Sequence, residues 1–356
     1  MTALTAEQER EQLNSGTKEV ADAHRIDEAK LAQWMTANVE GYQGPLEVRQ
    51  FKGGQSNPTY QLITPTKKYV LRRKPPGILL PSAHAVDREF KVLSGLYPTG
   101  FPVARPYALC IDDSVLGTMF YVMDMVEGRI LWDQSLPAYT PEQRMPIYMA
   151  QVKTLADLHN TDYVAAGLAD YGKPGNYFGR QISRWSKQYK ASETEVRPEI
   201  DRLIDWLPKT MPEDDQTTIV HGDYRLDNMI MHAVEPRVTA VLDWELSTLG
   251  NPLADFTYFL MNWVNGGLAG IEDKTAHGAP TMDEVVAYYC ELTGRTGLPD
   301  LNWYFSYNTF RLAGILQGIL GRVRDGTANS PNALSTAERM PILAKAAWEF
   351  AVKAGA

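Results

Sequence analysis

Cysteine is scarce in this 356-residue chain: Cys110 and Cys290 are the only two, and they stand far apart. Such spacing excludes a disulfide framework and a cysteine metal knuckle, and it suits a reducing compartment. Long apolar runs are missing as well. The longest, 253–264 and 312–320, fall short of the roughly 20 residues that a membrane-spanning helix needs. The polar segment 1–18 has no apolar centre of the kind a secretory signal carries. The expectation is a soluble, cytoplasmic protein with no membrane association. An excess of positive charge is also lacking: 35 Lys and Arg against 43 Asp and Glu leave a net charge of −8, the wrong balance for a nucleic-acid surface. His24, His84, His159, His232 and His277 fall into no ligand spacing, and no paired-histidine zinc motif occurs. Neither an internal repeat nor a low-complexity stretch interrupts the chain.

What is present divides in two. Residues 1–24 are polar and aperiodic and read as a flexible arm. Asp27 suits the cap of a helix that runs through Leu31, Trp34 and Met35. Short β-like runs follow at 46–51, 59–64 and 69–72, punctuated by Gly53-Gly54, Asn57-Pro58 and Thr64-Pro65. A helix over 85–96 and two further strands over 104–111 and 118–123 complete a small sheet-plus-helix unit. After Gly128 the pattern becomes helical. Tyr148, Val152, Leu155 and His159 share one face, and Leu312, Ile315, Leu316, Ile319, Leu320 and Val323 repeat that spacing. Gly314 and Gly318 weaken this last helix and predict a closely packed neighbour. The expected class is α+β with two lobes: 25–124 β-rich and 125–356 mostly helical.

The strongest chemical signal is Val220-His221-Gly222-Asp223-Tyr224-Arg225-Leu226-Asp227-Asn228, followed by Val241-Leu242-Asp243-Trp244-Glu245. Two short strands, 228–232 and 237–242, flank a turn at 233–236. A hairpin centred between Glu235 and Pro236 places Asn228 opposite Asp243. An amide and a carboxylate meeting at the open end of a ribbon, beside the loop that carries Asp223, suit a hard cation such as Mg²⁺. Phosphoryl transfer needs a carboxylate near the acceptor hydroxyl and metal on the phosphates, and Asp223 precedes Asn228 at kinase catalytic-loop spacing. A hairpin whose polar residues merely cap turns is the plain alternative.

HGDYRLDN with VLDWE resembles the aminoglycoside phosphotransferase and choline kinase family of the protein-kinase-like superfamily, and more narrowly the phosphotransferase domains related to those fused to acyl-CoA dehydrogenases. The likeness runs from about residue 51 to 321. It implies a protein-kinase-like fold with catalytic loop 220–228 and metal strand 237–245. Asp223 would be the catalytic base, Asn228 and Asp243 the Mg²⁺ ligands, and His221 a loop-shaping residue. On the nucleotide side it implies ATP phosphates on the turn Gly53, Gly54, Ser56 and Asn57. Arg72 would stand where kinases carry a strand lysine, paired with Glu89, and the adenine hinge would span Met123 and Met125. Arginine departs from that pattern yet keeps a permanent charge and a fork for carboxylate or phosphate, while Lys74 shares the strand face and rivals it. Asp255 matches an acidic position that supports the catalytic loop. No Asp-Phe-Gly and no Ala-Pro-Glu occur, which favours a small-molecule kinase over a regulated protein kinase.

Arg180, Arg184, Lys187 and Lys190 recur along one helical face in an otherwise acidic chain. Such a stripe is ordinarily a solvated face. Placed in the acceptor lobe, it is also a candidate site for an anionic small-molecule acceptor such as a hydroxyacyl-CoA, and it suits a cationic aminoglycoside less well. Trp263, Trp303, Tyr304, Tyr307 and Arg311 are either cleft lining or core. The alternatives are an aminoglycoside kinase, a kinase-like module that binds nucleotide without transfer, and a metal-dependent hydrolase using His221 as a ligand.

Overall fold

In the computed structural model, which describes residues 15–52, 57–75, 85–213, 216–326, 335 and 337–356, the first lobe is built on an antiparallel sheet. Its strands are β1 (Thr17–Lys18), β2 (Glu47–Phe51), β3 (Thr59–Ile63), β4 (Lys68–Arg73), β5 (Pro106–Cys110) and β6 (Phe120–Asp124), in the spatial order β1-β2-β3-β4-β6-β5. The two-residue period of a strand sorts β4 by face. Tyr69 and Leu71 join Leu31 and Met35 of α1 (Glu28–Asn38) in one apolar cluster. Val70 looks the other way, into a cluster that holds Val92, Leu93 and Leu96 of α2 (Val86–Leu96) and continues into the second lobe. Arg72 shares that second face. The Asp27 side chain caps α1, accepting from the Lys30 N–H at 3.0 Å, and a one-turn α3 (Asp113–Leu116) links β5 to β6.

Within the expected arm, the described residues 15–24 lie along the sheet: Thr17 and Lys18 pair with Phe51 and Gln50, and Tyr60 Oη donates to the His24 carbonyl at 2.8 Å. Residues 1–14 lie outside the described set.

The second lobe carries α4 (Pro141–Asn160), α5 (Tyr177–Ser192), α6 (Pro198–Trp206), α7 (Pro252–Val264), α8 (Lys274–His277), α9 (Met282–Thr293), α10 (Asn302–Arg324) and α11 (Met340–Lys353). Two antiparallel ribbons sit among these helices, β7 (Thr218–Val220) with β10 (Thr248–Gly250) and β8 (Met229–Met231) with β9 (Val238–Val241). The glycines of α10 face α5, as their loss of helix propensity predicts: a Cβ at Gly318 would stand 3.1 Å from Gln188 Nε2. Among the described residues no helix is long and apolar enough to cross a membrane.

Candidate active site

Residues 221–228 form the loop between β7 and β8. Gly222 turns it with φ +84°, and a Cβ there would stand 2.8 Å from the Leu246 carbonyl oxygen, so only glycine fits. His221 is wholly buried, and both ring nitrogens are used. Nδ1 accepts from the Asp223 N–H at 3.2 Å, which leaves the proton on Nε2 to donate to the Leu242 carbonyl at 2.8 Å. That pairing ties the loop to the ribbon and removes His221 as a base or metal ligand. Asp255, in the first turn of α7, closes the loop from below by accepting from the His221 N–H and, at 2.7 Å, from the Gly222 N–H. Burial pushes the Asp255 carboxyl up, yet His159, His221 and the Gly222 N–H outweigh it and hold the group below the usual carboxylate range. His159 stands 3.7 Å from that carboxylate, and burial pushes its imidazole down.

The Asp223 carboxylate is held through both oxygens. Tyr258 Oη donates to Oδ1 at 2.7 Å, and Asn228 Nδ2 donates to Oδ2 at 3.0 Å and to the Asp223 carbonyl at 2.9 Å. Arg225 Nε lies 3.4 Å from Oδ2 while its Nη2 pairs with Asp227 at 3.0 Å. Burial first, then the adjacent Asp223 charge, pushes the Tyr258 phenol well up, so it stays a donor.

The ribbon register differs from the expected one by a residue. Met229 pairs with Val241, and the Leu242 N–H donates to the Asn228 carbonyl at 2.8 Å, so Leu242 and not Asp243 opposes Asn228. The cause lies nearer the turn. His232 closes on Arg237, two residues short of the Thr239 that the expected centre gives, and a bulge between Ile230 and Met231 then restores one residue on the β9 side. Alternation alone no longer aims Asp243 at the site. A left-handed backbone at Asp243, φ 63° and ψ 64°, turns it instead, and its carboxylate remains about one-third exposed at 35%.

Within the first lobe Arg72 forks onto Glu89, with Nε 2.9 Å from Oε2 and Nη2 3.2 Å from Oε1, and across the lobes Nη2 also reaches Asp243 Oδ1 at 3.4 Å. Glu89 is buried and accepts further from Asn57 Nδ2 at 2.9 Å and Tyr121 Oη at 3.0 Å. Burial pushes its carboxyl up and Arg72 pulls it back, so the glutamate depends on its donors. Arg72, not Lys74, is thus the residue that meets both Glu89 and Asp243.

The remaining expectations divide. Gly53, Gly54 and Ser56 lie outside the described residues. Met123 is buried in β6, and Met125 lines a cavity of about 400 Å³ at the lobe junction with Thr64, Lys67, Lys68, Asp124 and Glu127. A larger cavity of about 620 Å³ opens elsewhere, between residues 94–102 and 157–166. Arg180 donates to the Gly175 and Lys173 carbonyls, and Lys190 pairs with Glu193 and Asp201. The cationic face therefore reduces to the exposed Arg184 and Lys187. Trp263, Trp303, Tyr304 and Tyr307 are buried core. Sequence reasoning passed over Tyr258, although a tyrosine three positions after Asp255 shares its helix face and so approaches the same loop.

Such a fold, with a loop carboxylate facing an arginine that reaches over from the other lobe, is that of small-molecule phosphotransferases, enzymes that phosphorylate hydroxyl groups. The chain belongs to the phosphotransferase enzyme family, whose model matches residues 47–288. It is 43% identical over 318 residues to acyl-CoA dehydrogenase family member 10 of Mus musculus, covering 88% of this chain and 30% of that protein. It is 39% identical over 341 residues to family member 11 of Homo sapiens, covering 93% of this chain and 44% of that protein. The chain thus spans less than half the length of these relatives. A crystal structure from Ralstonia eutropha, classed provisionally as an aminoglycoside phosphotransferase, is 51% identical and covers 92% of this chain and 99% of its own, with a TM-score of 0.86. Spectinomycin phosphotransferase, solved with ADP and spectinomycin, shares the fold at 13% identity and a TM-score of 0.61, covering 92% of this chain and 99% of that one.

Proposed function

We propose that the chain transfers the γ-phosphoryl group of ATP to a hydroxyl of a small metabolite, with Asp223 as the base. The observation that carries this reading is the Asp223 carboxylate, fixed through both oxygens on a loop whose partner Asn228 ends the same ribbon that delivers Asp243. As the acceptor oxygen bonds to Pγ, its proton passes to Asp223, and the bond from Pγ to the bridging oxygen breaks to release ADP. Arg72 balances charge on the phosphates from the opposite lobe. Asn57, Gly53, Gly54 and Ser56 are assigned to the phosphate side of the nucleotide, and the backbone around Met123 and Met125 to the adenine.

The donor set fits Mg²⁺. Asn228 spends its amide nitrogen on Asp223 and so offers its oxygen, and Asp243 offers a part-exposed carboxylate. Two hard oxygen ligands suit an ion that keeps several waters. When bound, Mg²⁺ supplies positive charge to the phosphate oxygens.

For the acceptor, an anionic molecule such as a hydroxyacyl-CoA is the reading we favour. Relatives described as acyl-CoA dehydrogenase family members contain this segment, and Arg184 and Lys187 remain exposed on α5. An aminoglycoside is the second reading, favoured by the class of the Ralstonia relative.

An ATP-consumption screen over hydroxyacyl-CoAs, aminoglycosides, choline-like alcohols and sugars tests both levels. Asp223→Asn is expected to lose about 10²–10⁴ in kcat while nucleotide binding persists; turnover like wild type removes Asp223 from its role. The double variant R184E/K187E is expected to raise the acceptor KM and spare that of ATP. Turnover of aminoglycosides alone reverses the acceptor assignment, and nucleotide binding with no transfer supports a non-transferring module.

A further inference from the structure

The Asp223 carboxylate is already crowded. Oδ2 meets Asn228 and Arg225, and Oδ1 accepts the Tyr258 phenol at 2.7 Å. An ionised carboxylate has about four lone-pair sites, so these three neighbours leave about one for an incoming hydroxyl, on Oδ1 beside the phenol. The bond that Tyr258 makes, an O–H donating to the base, is also the bond an acceptor alcohol has to make before it reacts. Tyr258 is placed for this by its surroundings. It lies one turn beyond Asp255, which is locked to the loop backbone. The Arg311 guanidinium covers its ring at 5.3 Å, stacks on Trp185 at 5.8 Å, and donates to the Gly222 carbonyl. Yet Tyr258 is only half-buried, while residues 251–257 and 259–261 of the same helix region are buried. The Asp223 side chain beside it also keeps 23% of its surface exposed, so the pair is open on one side.

We propose that Tyr258 is a positioning residue that occupies Asp223 Oδ1 in the acceptor-free enzyme, excluding water as a phosphoryl acceptor until the true acceptor hydroxyl displaces the phenol. This rests on Asp223 being the base. The suppressed side reaction is ATP hydrolysis: the water oxygen bonds to Pγ, a water proton passes to Asp223, and the bond to the ADP oxygen breaks, giving ADP and phosphate. Replacing the phenol oxygen by hydrogen frees Oδ1 and opens room for one water beside it.

The test needs only Mg-ATP, with water as the sole acceptor. In Tyr258→Phe, ADP release is expected to rise about tenfold over wild type, the scale of one lost charge-assisted hydrogen bond. The rise is expected to vanish in Y258F/D223N. A merely structural role for Tyr258 gives no rise. Tyr258→Leu, which also removes the phenol, serves if the phenylalanine variant fails to fold, and thermal melts confirm folding of each. Unchanged or slower ADP release in a folded variant overturns the proposal, as does a rise that persists without Asp223. Failure of the base assignment looks different: D223N alone then turns over like wild type.

Discussion

Asp243 stands where geometry and chemistry pull against each other. Its left-handed backbone costs a non-glycine residue about 1–2 kcal/mol, a strain of the kind that persists where function requires it. Glycine relieves that strain but loses more entropy on folding, by roughly 0.5–1 kcal/mol. Asp243→Gly is therefore expected to leave unfolding free energy within about 1 kcal/mol of wild type, by denaturant titration. Magnesium-dependent phosphoryl transfer is expected to disappear in the same protein. A variant as inactive but markedly less stable would show that Asp243 serves the fold through its 3.4 Å contact with Arg72. Arg72 shows what an arginine fork can do that a lysine cannot. Its fork meets both oxygens of the buried Glu89 and still reaches Asp243, which a single ammonium at that distance cannot match.

Helices α5 and α10 show how an element is shaped by its neighbour. A Cβ at Gly321 would fall 2.8 Å from Ser192 Cβ, whereas one at Gly314 would meet Trp185 atoms at an ordinary 3.8 Å. Alanine improves helix propensity at either position by about 1 kcal/mol. Gly314→Ala is expected to raise the thermal midpoint by a few degrees and Gly321→Ala to lower it, because only the second forces the helices apart. Equal shifts of one sign in calorimetry would show that propensity alone decides. The same interface carries Trp185 and Arg311, so a displaced α5 also disturbs the stack above Tyr258.

An apolar cluster shared by α2 and the second lobe joins the two lobes, and polar links from α2 and β4 add to it. Arg88 donates to the Ser247 carbonyl at 3.3 Å and lies over the Tyr171 ring at 4.4 Å, Lys91 meets Asp170 at 2.7 Å, and Arg72 meets Asp243. A ligand held by both lobes adds its binding energy to the folded state. With Mg²⁺ present, ADP at 100 times its Kd is expected to stabilise the protein by about 2.7 kcal/mol, read as a raised thermal midpoint. Chelation by EDTA is expected to remove most of that rise, and Asp243→Asn to make the response insensitive to magnesium. An equal response with and without magnesium would take the metal away from this pair.

Local chemistry alone made much of this legible. Short β-like runs and the turn formers at 57–58 and 64–65 marked the strands of the first lobe, since each signal acts within a few residues. The loop from His221 to Asn228 was likewise readable as one constellation, because its side chains serve a backbone they themselves shape. Packing decided the rest. Asp255 grips His221 across 34 positions, and Tyr258 reaches Asp223 across 35. A tighter turn, half undone by a bulge, shifted the ribbon by one residue, and loop carbonyls and acidic neighbours claimed Arg180 and Lys190 from the cationic stripe. The amino-acid order determined which donors and acceptors each segment offers. Which partner takes each one depends on distances closed only when the chain packs, and no local spacing records them.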